Sequence, residues 1–231
     1  MVRRSLVVGL VAASLVPVLL SSDLPRADAL PTILASASFE ADAVGATARP
    51  NGPPTVAEDV WDAGTYSGGV SGVVAYGSTK RYRLSDVGST GEVKGIRLPL
   101  SSDVSTGTLM LECVATAEQA DVDGGFLCAE RPEKDEWICG IGFGADGKFR
   151  VHGSGTTVGY SADAAYRFRV ILHFGASPTA DYRILEIATG DTVLSSDGHS
   201  LPSSMTAGHM VFRTDASDAG AFTVDALSAV R

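Results

Sequence analysis

The chain has 231 residues and a formal net charge of -9, from 27 acidic and 18 basic side chains. That length suits one sizeable domain better than two, and the acidity argues against a nucleic-acid binder, because such a surface repels phosphates. Only 19% of residues are charged and 26 are glycine; turn signals separate short apolar runs, which is the pattern of an all-β protein.

Arg3 and Arg4 precede a nearly unbroken apolar run over residues 5–20. Ala27-Asp28-Ala29 then offers a small-x-small cleavage site, with Ala35-Ser36-Ala37 as a second candidate. This predicts a secretory signal peptide over residues 1–29. The run contains Pro17 and is shorter than the roughly 20 residues of a spanning helix. The mature protein is therefore expected outside the cytoplasm, with no membrane span, as one domain over residues 35–231.

Residues 37–40 read as a short strand and residues 42–55 as a loop around Asn51-Gly52-Pro53-Pro54. Weak strands are expected at 56–63 and 70–76, and others at 80–84, 93–100 and 106–118. Ile96, Leu98 and Leu100 share one face of their strand, as do Leu109, Leu111 and Cys113 of theirs. A hairpin follows over residues 126–143, turning at Glu133-Lys134. A symmetric register sets Glu130 opposite Trp137 and Cys128 opposite Cys139. Asp146-Gly147 marks another hairpin turn.

The cleanest pattern is at residues 166–174, where Tyr166, Phe168, Val170, Leu172 and Phe174 alternate with Arg167, Arg169, Ile171 and His173. This predicts a central strand with one buried and one wet face. Further strands are expected at 181–187, 192–195, 208–214 and 221–230. In the last, Phe222, Val224, Ala226 and Val230 fall on one face. So many short strands favour a two-sheet sandwich.

Three cysteines in a secreted chain permit one bridge. The hairpin register favours Cys128–Cys139; Cys113–Cys128 and three buried thiols are the alternatives. The spacing does not suit zinc.

The order Gly142-Phe143-Gly144-x-Asp146-Gly147-Lys148-Phe149-x-Val151, Tyr166-x-Phe168-x-Val170, Tyr182-x-Ile184 and Phe222-x-Val224-Asp225-x-Leu227 resembles the concanavalin A-like jelly rolls of the laminin-G-like type. Ser38-Phe39-Glu40 is similar to the opening of many such modules. The resemblance covers mainly residues 140–231 and implies a two-sheet antiparallel jelly-roll sandwich. It also implies a structural calcium held by Glu40 and Asp225, although both could equally be solvent-facing charges. The fold carries lectins, glycan-binding modules and enzymes alike, so it does not select a function.

Candidate ligand-binding residues are the platforms Trp137 and Trp61, with Glu130 and Arg131 beside Trp137. An aromatic face among charged groups suits hydroxyl-rich sugars; a tryptophan capping the core edge is the plainer reading. Tyr66, Tyr76 and Tyr160 are weaker candidates. No paired-carboxylate strand of the jelly-roll glucanases is found. His152, His173, Arg167 and Arg169 are the groups a catalytic site could use. The leading expectation is a secreted, non-catalytic module that binds carbohydrate or a cell-surface glycan. A glycan-active lyase or hydrolase and a structural or adhesive surface protein are the alternatives.

Overall fold

The computed structural model describes residues 31–45, 59–62, 72–86, 94–133, 136–152, 154–214 and 220–231. The segment read as a signal peptide, the Asn51-Gly52 turn and Tyr66 lie outside them, and of Trp61 only the backbone is described. The strands in chain order are β1 (Ile33–Ala37), β2 (Asp59–Asp62), β3 (Gly72–Tyr76), β4 (Thr79–Asp86), β5 (Lys94–Val104), β6 (Gly107–Ala117) and β7 (Gly124–Glu130). They continue with β8 (Trp137–Phe143), β9 (Lys148–Val151), β10 (Ser154–Gly159), β11 (Ala165–Phe174), β12 (Thr179–Glu186), β13 (Thr192–Ser200), β14 (Ala207–Arg213) and β15 (Gly220–Val230).

These strands form two antiparallel sheets. Sheet A runs β13-β12-β11-β6-β15-β4-β3, with β1 also on β15; sheet B runs β10-β9-β8-β7-β14-β5-β2. The fold is an all-β jelly-roll sandwich. Strand β11 lies inside sheet A, paired along its whole length with β6 from Ala165↔Thr116 to Phe174↔Gly107. Its burial alternates as its sequence does, with Tyr166, Phe168, Val170 and Leu172 buried.

The residues that carry the family resemblance are packing residues. Phe143 of β8 sits 4.8 Å from Tyr160, 5.0 Å from Phe168 and 6.0 Å from Phe222, ring centre to ring centre. Phe149 of β9 meets Tyr166 edge-on at 5.0 Å. These rings tie sheet B to sheet A, and such pairs add about 0.5–1.5 kcal/mol each beyond area burial. Tyr160 belongs to this core: its hydroxyl donates to the Gly144 carbonyl at 3.0 Å, and burial pushes its pKa up to about 12.

The strand read at residues 37–40 is instead β1, which ends at Ala37. Three further expectations change. In β15 the inward residues after Val224 are Leu227 and Ala229, while Ala226 is exposed. A bulge between Asp225 and Ser228, with Ala226 at φ +50°, reverses the alternation. It falls where β15 changes its partner from β4 to β1. Second, residues 154–159 form strand β10, where the sequence suggests only a connection.

Third, there is no disulfide: Cys113, Cys128 and Cys139 are all buried free thiols. Glu130 does pair with Trp137, but a bulge beside it shifts the ladder to Ala129↔Cys139 and Cys128↔Gly140. Cys139 therefore faces the core, while Cys128 faces outward into a small cluster with Phe126 and Val211. The alternative bridge is also absent, because Cys113 faces the core between the sheets while Cys128 faces outward from sheet B. Burial pushes the Cys139 thiol up to about 12 and raises the other two well above the usual thiol range.

Candidate functional site

The outer face of sheet B carries an unusual mixture of groups. Strand β7 is buried along its whole length, and so is β8 after Trp137. Phe126, Cys128 and Val211 project from the outer side, and the half-buried Trp137 packs against them. The indole lies 5.7 Å from the Phe126 ring, and the Arg213 guanidinium stacks on it at 4.3 Å. Two glycines of β8 make room for this layer. A Cβ at Gly140 would lie 2.8 Å from Cys128 Sγ, and one at Gly142 only 2.4 Å from Phe126 Cδ1.

Trp137 and His152 are common to the walls of two neighbouring cavities of about 210 and 400 Å³. The first is completed by Phe126, Gly140 and Arg150, the second by His199 and residues 200–202. Arg150 is half exposed and pairs with the nearly buried Asp123. His199 is held by a 2.7 Å hydrogen bond between Nε2 and Ser196 Oγ, and its ring meets Tyr182 edge-on. The site thus gathers an aromatic face, a cation, two imidazoles and a hydroxyl-bearing rim.

The other proposed ligand residues divide. Glu130, expected beside Trp137 as a ligand group, is fully buried and bound to Arg97 Nε at 2.8 Å. It is a structural ion pair. Arg131 pairs with Glu136 at 3.3 Å near the surface, and its carbonyl oxygen lies 3.0 Å from His209 Nδ1. Tyr76 stacks with Arg81 at 3.5 Å, far from Trp137 in the topology, on edge strand β3 of the other sheet.

The groups of the catalytic alternative are not assembled. Arg167 and Arg169 both reach Glu112 on the outer face of sheet A, and His173 bonds Asp181 there at 2.9 Å. His152 stands apart on sheet B, beside His199. Nothing local in the sequence marks His199, Arg150, Arg213 or Arg97 as neighbours of Trp137, because strand order brings them together.

Glu40 and Asp225 do lie near one another. Burial raises the Asp225 pKa from its ordinary value, and the charge of Glu40 adds to it. Calcium takes six to eight oxygens. Here Glu40 Oε1 accepts the Lys80 backbone N–H at 3.0 Å, while Lys80 Nζ donates to the Glu40 and Asp42 carbonyls at 2.8 and 2.7 Å. Among the described residues no group of three or more His, Cys, Asp or Glu side chains could hold a metal ion. The oxygens fit the lysine ammonium better than a calcium ion. Chelator and added calcium should leave the melting temperature unchanged, whereas Lys80→Ala should lower it; a calcium-dependent rise in the wild type would contradict this.

The sandwich is a two-sheet antiparallel jelly roll. No protein-family model matches the chain, and no curated protein sequence matches it either. Solved structures do share the fold. Lectin I from Ulex europaeus, solved with the methyl glycoside of α-L-fucose, aligns over 87% of this chain and 97% of its own, with 10% identity and a TM-score of 0.50. An endo-β-1,4-glucuronan lyase from Trichoderma reesei aligns over 84% and 93%, with 9% identity and a TM-score of 0.47. An alginate lyase aligns over 88% and 98%, with 13% identity and a TM-score of 0.46. At 10% identity the likeness to the lectin speaks for the fold alone.

Proposed function

We propose that this is an exported carbohydrate-binding protein whose site is the groove around Trp137 on the outer face of sheet B. The observation that carries the reading is that Trp137 forms a shared wall of two adjoining cavities. Sugars offer flat C–H faces ringed by hydroxyls. An indole takes the first, and Arg150, His152, His199 and Ser200 at the rim offer polar partners to the second. The lectin of like fold, solved with a fucoside, supports a glycan as the partner class. Export rests on the reading of residues 1–29 as a signal peptide. Among the described residues no helix is long and apolar enough to cross a membrane.

A glycan-array screen of wild type and Trp137→Ala tests the reading. Binding to a defined sugar class, reduced about tenfold or more by the substitution (on the order of 1.4 kcal/mol), is expected. Silence across the array, or binding indifferent to Trp137→Ala, would overturn it. A catalytic reading draws on one observation, that His152 and His199 line the same cavity. It predicts shortening of the bound polymer that is lost in His152→Gln.

A further inference from the structure

Charge separates the Trp137 groove from its surroundings. The chain is acidic, at -9, yet among the described residues neither cavity is lined by an aspartate or a glutamate. The lining contributes Arg150, His152 and His199, and Arg213 lies on the indole. Two carboxylates bound to arginine here are buried: Asp123, with 5% of its side chain exposed, pairs with Arg150, and Glu130, with none, with Arg97. Glu136 is well exposed but pairs with Arg131.

The outer face of sheet A uses the same residue types differently. There Arg83 meets Glu118 at 2.6 Å, Arg169 meets Glu112, Arg183 meets Asp197, and His173 meets Asp181. The carboxylates on that face are themselves part-exposed, between 20% and 59% of the side chain. A polyanion approaching sheet A would meet them. In the Trp137 groove it would meet cationic and imidazole groups without an exposed carboxylate among the lining residues.

Resting on the glycan reading above, we propose that the groove takes a segment of an anionic polysaccharide. Its sugar ring would lie against Trp137, with its carboxylate or sulfate directed to Arg150 and His152. A guanidinium suits either anion, because its fork of donors matches paired oxygens. The acidity of the rest of the molecule would hold such a polymer off other surfaces, which favours one register over indiscriminate adhesion.

Affinity electrophoresis of the purified protein in gels containing polygalacturonate, a sulfated galactan or neutral dextran tests this. Retardation in an acidic gel, at least about tenfold stronger than in dextran, is expected, and it should weaken as salt rises and screens the contact. The polygalacturonate and sulfated-galactan arms identify the anion. His152→Gln, at an exposed position, and Arg150→Lys, which keeps a partner for Asp123, should each weaken acidic binding several-fold. Both should leave the melting temperature near that of the wild type. Equal or stronger binding to neutral polymers, lost in Trp137→Ala, would overturn the anionic assignment while leaving the glycan reading intact. Acidic binding unchanged in both His152→Gln and Arg150→Lys would also overturn it. No binding to any polymer, together with a silent array, would overturn both.

Discussion

Glu130→Ala should lower the unfolding free energy by about 3–5 kcal/mol, measured by urea denaturation. The Glu130 carboxylate has no exposed surface, and Arg97 has 7% of its side chain exposed. Removing the carboxylate takes away the buried partner of Arg97 Nε. Breaking a buried pair by removing one member costs more than the pair contributes, so replacing both partners should be milder. Arg97→Met combined with Glu130→Leu should restore most of the loss, because the site then holds two apolar side chains of similar bulk. A loss below about 1 kcal/mol in the single variant would mean that water reaches the pair and that Glu130 is a surface group after all.

Phe143→Ala should cost about 3–5 kcal/mol, as other buried phenylalanines do. The ring is fully buried and touches Phe149, Tyr160, Phe168 and Phe222. It draws β8 and β9 of sheet B against β11 and β15 of sheet A, so its loss opens a cavity between the layers. Phe143→Leu should recover about half of the loss, since it refills part of the volume. If alanine is tolerated with little change in urea midpoint, the aromatic cluster does not hold the sandwich together.

The sequence made β11 legible because its buried residues keep an unbroken period of two over the whole strand. Leu109, Leu111 and Cys113 of β6 keep the same alternation. Legibility failed where a bulge reset the phase. One bulge turned Cys128 away from Cys139, and another moved burial in β15 from Ala226 to Leu227. A bulge inserts one residue and flips every later side chain, and nothing in a run of apolar residues announces it. Strand β10 escaped notice because Ser154-Gly155-Thr156-Thr157 lacks large apolar residues and reads as a turn.

The candidate site was legible only in part. Trp137 stood out as an aromatic residue in a charged hairpin, and it does border the cavities. Its real neighbours come from separate strands: Arg150 and His152 at the end of β9, Arg213 from β14 and His199 from β13. Glu130 looked like a surface charge because its partner, Arg97, lies 33 residues away in sequence on β5. Strand β7 lost its alternation for the same reason, since its outer face is covered as well as its inner one.

The most direct measurement is a two-dimensional NMR titration of isotope-labelled protein with an acidic oligosaccharide, following backbone amides and both tryptophan indole N–H signals. The indole signal assigned to Trp137 by its loss in Trp137→Phe should shift with the amides of residues 150–152 and 199–201, while the amides of residues 167–173 on the outer face of sheet A stay still. Shifts confined to residues 167–173, or an unmoved Trp137 indole at saturating ligand, would contradict the placement of the site.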